Sequence, residues 1–107
     1  NRILLDAGAL AISKDRSTQA TPHDSGYGEV VDLDGNSSFG KCIVSRVFQE
    51  HGVCTSEDPR FLAELMIGTK VRVKPNHACI TAAAHDRYYV VDGSRKVVAE
   101  WDRVNGW

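Results

Sequence analysis

A chain of 107 residues with 42% hydrophobic and 25% charged side chains has room for one modest core and lacks the compositional bias of a disordered segment. Thirteen Lys and Arg against fourteen Asp and Glu give a net charge of -1 with both signs interspersed, so no basic stripe is present to hold a phosphate backbone and nucleic acid is not an expected partner. No apolar run approaches the roughly 18 residues needed to cross a bilayer, and no secretory leader pattern opens the chain, so no membrane partner is expected and the chain reads as cytoplasmic.

The first segment, Arg2 to Leu5, is an apolar strand signal that starts without a preceding turn or cap, which reads as a piece of something longer. Ser13 to Gly26 is polar, contains Pro22 and reads as a solvated surface loop. Gly28 to Leu33 is the next strand; Asp34-Gly35 with Asn36, Ser37 and Ser38 marks a reversal, and Cys42 to Val47 returns as the second arm of a hairpin. One segment reads as helix, Pro59 to Leu65, because Ser56, Glu57 and Asp58 offer caps and Phe61, Leu62, Leu65 and Met66 recur at helical spacing before Gly68. Val71 to Val73 is a strand, and Tyr88 to Val91 with Lys96 to Trp101 form a last antiparallel pair around Asp92-Gly93. The sum is a mainly β, barrel-like antiparallel domain with one short helix, a single β domain over residues 1–107.

Chemistry concentrates where the strand signal Lys70-Val71-Arg72-Val73-Lys74 runs into Pro75-Asn76 and then His77-Ala78-Cys79. Pro75 cannot donate to a sheet ladder, so a strand there must end or lie at an edge, a usual place for functional side chains. If the backbone stays extended to residue 79, His77 and Cys79 leave one face and can reach one ion. Imidazole with thiolate suits zinc, and two protein ligands leave coordination open for water or substrate. The plain alternative is a structural cysteine beside a hydrogen-bonded histidine. Cys42, Cys54 and Cys79 are an odd number without framework spacing, which indicates reduced thiols.

Other candidates carry less. Glu50 and His51 are adjacent and would face opposite sides of a strand, as would His85 and Asp86, and His23 lies in the polar loop. Ser13 and Ser25 lack a nucleophile-elbow context, and no glycine-rich phosphate loop is present.

In sequence order, Asp6-Ala-Gly-Ala-Leu-Ala-Ile-Ser-Lys-Asp15, Gly26-Tyr-Gly28, Gln49-Glu-His-Gly52, Gly68-Thr-Lys-Val-Arg-Val-Lys-Pro-Asn-His-Ala-Cys79, Tyr89-Val-Val-Asp-Gly93, Trp101 and Gly106-Trp107 resemble the C-terminal part of the D-serine dehydratase and D-threonine aldolase family. The resemblance covers nearly the whole chain. It implies a C-terminal β domain of a pyridoxal-phosphate enzyme of the alanine-racemase-like fold, whose N-terminal α/β barrel carries the Schiff-base lysine. It also implies that His77 and Cys79 hold a divalent metal, zinc in the dehydratase branch and manganese or magnesium in aldolases, and that the full-length enzyme is a homodimer. The thiolate favours zinc over magnesium. Lys14, Lys41, Lys70, Lys74 and Lys96 match none of the family's cofactor positions, so no catalytic residue is expected in this chain, its cofactor-binding residues stay unknown, and the chain by itself is expected to be inactive.

The implied activity of the parent is β-elimination from a β-hydroxy-D-amino acid such as D-serine, giving a 2-oxo acid and ammonia. The alternatives are D-threonine aldolase chemistry and, for this chain alone, a non-catalytic metal-binding or interaction module. A thiol hydrolase using Cys79 and His77 would need an oxyanion hole that the sequence does not show.

Overall fold

The computed structural model describes residues 2–58, 60–61 and 65–104. Among the described residues seven strands are present: β1 (Ile3–Leu5), β2 (Gly28–Val31), β3 (Cys42–Val47), β4 (Gly52–Ser56), β5 (Arg72–Pro75), β6 (Arg87–Val91) and β7 (Val97–Asp102). The helices with described bounds are short, α1 (Ala9–Ile12) and α2 (Ala78–Ala83). Strands β1 to β5 form one antiparallel sheet in the order β1-β4-β3-β2-β5, curled into a half-barrel, and β6 pairs with β7 as a separate antiparallel hairpin.

The expected hairpins are both present, β2 with β3 and β6 with β7. Strand β4 is not among the expected elements. Its sequence opens on glycine and holds only two β-branched residues before Ser56, yet it pairs with both β1 and β3 and buries Gly52, Val53 and Cys54. Of the helix expected at Pro59 to Leu65, residues 59 and 62–64 lie outside the described residues and Phe61 is helical; helix also forms at 9–12 and 78–83, where the sequence pattern predicts none.

The core gathers Ile12, Val30, Cys42, Val44, Val47, Cys54 and Phe61, with the Phe39 and Phe61 rings 5.3 Å apart. Along β3 the inward residues run Cys42, Val44 and then Val47, a step of three that breaks strict alternation. A bulge between Val44 and Arg46 supplies the extra residue, and Ser45 Oγ donates to Val53 O at 3.1 Å beside the irregular register. The thiols of Cys42 and Cys54 hydrogen-bond to each other within this core, and that bond together with burial pushes the Cys54 thiol up, so both serve as apolar filling and not as ligands.

The connection between β2 and β3 is organised by Asp32. Its Oδ1 accepts the N–H groups of Asp34 and Asn36, each at 2.9 Å, and Oδ2 accepts from the Ser38 hydroxyl. These donors, Ser38 first, hold the carboxyl below its ordinary value of 3.8. A depressed folded pKa means that the contribution is present above the unfolded value and fades as pH falls through the folded one. The Asn36 amide resonance is therefore expected to hold its position from pH 6 to about 4 and to move below 3.8, and Asp32→Asn should abolish the movement. A resonance that is pH-independent down to 2 in the unmutated protein would contradict this role. Asp34 in the same turn takes a two-pronged ion pair from Arg95, at 2.7 and 2.8 Å, tying the β6–β7 loop to the main sheet.

Candidate metal centre

Strand β5 is the outer strand of the five-stranded sheet and ends on Pro75, paired with Gly28, where the missing N–H of proline costs least. The chain then leaves the sheet. Asn76 N–H donates to Tyr27 O at 3.1 Å, and the Asn76 side-chain amide donates to Thr18 Oγ1 at 2.7 Å and to Gly26 O at 2.6 Å. The 13–26 segment is therefore only partly a solvated loop: its tip is exposed, while Thr18 and Gly26 clamp the entrance to the site. An Arg16–Asp24 ion pair and the bond from Gly26 N–H to Asp24 Oδ1 at 2.9 Å brace it. The Gly26 N–H is the largest cause holding the Asp24 carboxyl below its ordinary range, ahead of Arg16.

His77 is the N-cap of α2 and keeps extended backbone, φ -125° and ψ 108°, but Cys79 lies in the first turn of that helix. The extended geometry expected through Cys79 is thus overturned: the pair is carried by a strand-to-helix turn. Ala78, Ala82 and Ala83 favour helix over strand once Pro75 has closed the ladder. Thr81 Oγ1 lies 2.8 Å from His77 O and 2.9 Å from Ile12 O, so this hydroxyl straddles the cap and pins α2 on α1. His85 Nε2 lies 3.2 Å from Ala11 O and reinforces the same contact.

The His77 ring is half-buried and directional. Nδ1 is shielded from solvent without an aligned hydrogen bond, and it faces Asp15 Oδ2 at ion-pair range. Cys79 is exposed, in contrast to the buried Cys42 and Cys54. An imidazole whose inner nitrogen faces a carboxylate and an exposed thiol two residues further on are, by their chemistry, a donor pair that suits zinc. Among the described residues no group of three or more His, Cys, Asp or Glu side chains is placed to hold a metal ion.

The remaining candidates stand apart. Glu50 and His51 occupy the β3–β4 turn, both exposed, with the His51 ring stacked on Phe48 at 4.8 Å. That turn is structural, because Phe48 O and Gln49 O accept the Ala9 and Leu10 N–H groups and so close the start of α1, where Gly8 gives no side-chain cap. His23 lines an open cavity of about 530 Å³ with Lys41 and Glu57, which does not include His77 or Cys79. Asp15 belongs to one of the motifs that carry the family resemblance, but nothing in its local sequence marks it as a site residue. Its partner lies far along the chain, and only the folded turn brings them together.

A curled antiparallel half-barrel with few short helices is the architecture of a domain in alanine-racemase-like enzymes. A solved alanine-racemase-like protein from Idiomarina loihiensis superposes with a TM-score of 0.83 at 40% identity, over 100% of this chain and 28% of that one. The family model for the putative serine dehydratase domain matches residues 1–91, and the chain belongs to that family. D-threo-3-hydroxyaspartate dehydratase from Delftia sp. (strain HT23) is 38% identical over 110 residues, 97% of this chain and 28% of its own length. D-serine dehydratase from Schizosaccharomyces pombe is 38% identical over 106 residues, 98% of this chain and 23% of its own. Two solved variants of D-threo-3-hydroxyaspartate dehydratase, one Cys→Ala in the metal-free form and one His→Ala, match at TM-scores of 0.84 and 0.82 with 33% and 35% identity, each over 99% of this chain and 28% of that one. The chain thus spans about a quarter of the length of the relatives it matches.

Proposed function

We propose that this chain is the metal-presenting β domain of a pyridoxal-phosphate-dependent dehydratase acting on β-hydroxy-D-amino acids, with His77 and Cys79 as the protein ligands of zinc. The observation that carries it is the pair itself: His77 fixed at a helix cap with Nδ1 turned inward, and Cys79 exposed on the first turn of the same helix. The variants of the related hydroxyaspartate dehydratase support it, because the His and Cys replaced there are two residues apart, as His77 and Cys79 are here, and the Cys→Ala variant is described in a metal-free form. D-Serine and 3-hydroxyaspartate share a hydroxyl on the β-carbon, which makes that hydroxyl the group common to the substrates in the relatives' names.

When bound, zinc supplies Lewis-acid polarisation of the substrate β-hydroxyl, and pyridoxal phosphate, held by the N-terminal barrel of the full-length protein, supplies an electron sink. His77 and Cys79 together neutralise one positive charge of the divalent ion and leave its outer positions to oxygen ligands. The thiolate selects against hard cations such as magnesium. Asn76 and Thr81 fix the turn that carries both donors. None of the lysines here is assigned to a Schiff base, so turnover needs the rest of the parent, proposed to work as a homodimer.

The full-length protein loaded with pyridoxal phosphate and zinc is expected to release pyruvate and ammonia from D-serine and little glycine from D-threonine. Glycine as the dominant product would replace this reading by the aldolase. Zinc bound without turnover of either substrate would replace it by a metal-binding module.

A further inference from the structure

We propose that Asp15 is a positioning residue for the metal ligand: its carboxylate holds the His77 ring with the proton on Nδ1, leaving the Nε2 lone pair to the ion. The proposal rests on the reading of His77 as a ligand.

An imidazole that binds a metal through one nitrogen carries its proton on the other, and a group that accepts that proton decides both tautomer and ring plane. His77 Nδ1 is shut off from water, so solvent cannot provide that acceptor. Asp15 Oδ2 is the atom placed against it. The carboxylate is itself restrained, since its Oδ1 accepts the Arg16 N–H at 3.1 Å, and the Asp15 N–H donates to Ser13 Oγ at 3.3 Å. The backbone adds an independent sign. Ser13, buried at 3% exposure, takes φ 68° and ψ 174°, a combination that residues other than glycine rarely adopt. This turn at the end of α1 redirects the chain so that Asp15 returns beside His77. A loop that only linked α1 to β2 would have no need to hold a serine there. The Thr81 hydroxyl, between Ile12 O and His77 O, locks the two sides of the contact at their roots.

The Asp15 side chain is 46% exposed and that of His77 31%, so what separates the pair from a surface ion pair is the covered Nδ1. Exposed pairs hold two mobile side chains and contribute little. Here one partner is a ring whose inner nitrogen is covered, and the other has its second oxygen engaged by backbone.

The test uses the full-length protein and reads zinc affinity by competition with a chromophoric chelator, alongside nitrogen-15 spectra of the histidine rings in the zinc-free state. Asp15→Ala is expected to weaken zinc about 10–100-fold and to shift the His77 ring away from the Nδ1–H form, with pyridoxal phosphate absorbance unchanged. Asp15→Asn, whose amide oxygen still accepts the Nδ1 proton, is expected to lose less, and it carries the test if the alanine variant does not fold. Unchanged zinc affinity and an unchanged tautomer in both variants would overturn the proposal. So would a loss as complete as that of His77→Ala, which would make Asp15 a direct ligand. If His77→Ala itself retains zinc, the ligand assignment fails, and the role of Asp15 is then judged by the tautomer alone.

Discussion

Replacing His77 by alanine in the full-length protein is expected to weaken zinc more than 100-fold and to lower turnover of D-serine by about 100- to 1,000-fold. The first figure exceeds what losing an outer partner of a ligand costs. The second corresponds to the several kcal/mol that Lewis-acid stabilisation supplies to a departing hydroxide. Cys79→Ser should follow the same direction, since an alcohol at neutral pH is a far poorer zinc donor than a thiolate. Both side chains lie on the half-buried or exposed side of α2, outside the hydrophobic core, so the variants should keep the domain's stability. Added zinc should restore activity to the chelated unmutated protein and to neither variant. Turnover that survives both substitutions would remove the metal from the proposed chemistry.

The second large effect concerns a residue with no chemistry at all. A methyl group on residue 8 would lie 2.4 Å from His51 N, 2.5 Å from Phe48 O and 2.6 Å from the Glu50 carbonyl carbon, all backbone atoms that no rotamer change can move. Gly8→Ala is therefore expected to cost about 3 kcal/mol, at the top of the range for forced overpacking. It pries α1 from the β3–β4 turn that caps it. Because α1 leads into Ser13 and Asp15, zinc affinity should fall together with the thermal midpoint. Gly35→Ala is the control, with φ 86° but open space around it, and should cost only about 1 kcal/mol with zinc affinity unchanged. Equal effects from the two substitutions would show that close approach at residue 8 is not what matters.

The strands that carry alternating or β-branched runs, 28–31, 42–47 and 97–102, are legible in the sequence because their own residues specify them. Strand β4 is not, since its pairing with two neighbours, and not its composition, makes it a strand. Helix α1 has four residues and no side-chain cap; it exists because carbonyls from a distant turn receive its first N–H groups, which no local pattern records. Residue type and the family resemblance single out His77 and Cys79, yet the backbone joining them reads as strand and folds as the start of a helix. The alanines after Cys79 hold that information, and the strong strand signal before Pro75 masks it. Asp15 is invisible as a partner because that relation is purely tertiary.

The bonds that frame the site have a kinetic consequence. Asn76 reaches a partner 58 residues away, Thr81 one 69 residues away and His85 one 74 residues away. Closing such long loops costs entropy before any contact rewards it, so segments joined this way come together late. The β6–β7 hairpin can form early from neighbouring residues, but the turn that carries His77 and Cys79 assumes its shape only when both ends of the domain have met. Metal uptake by a refolding chain should therefore lag behind the appearance of strand signal and mark the final step of assembly.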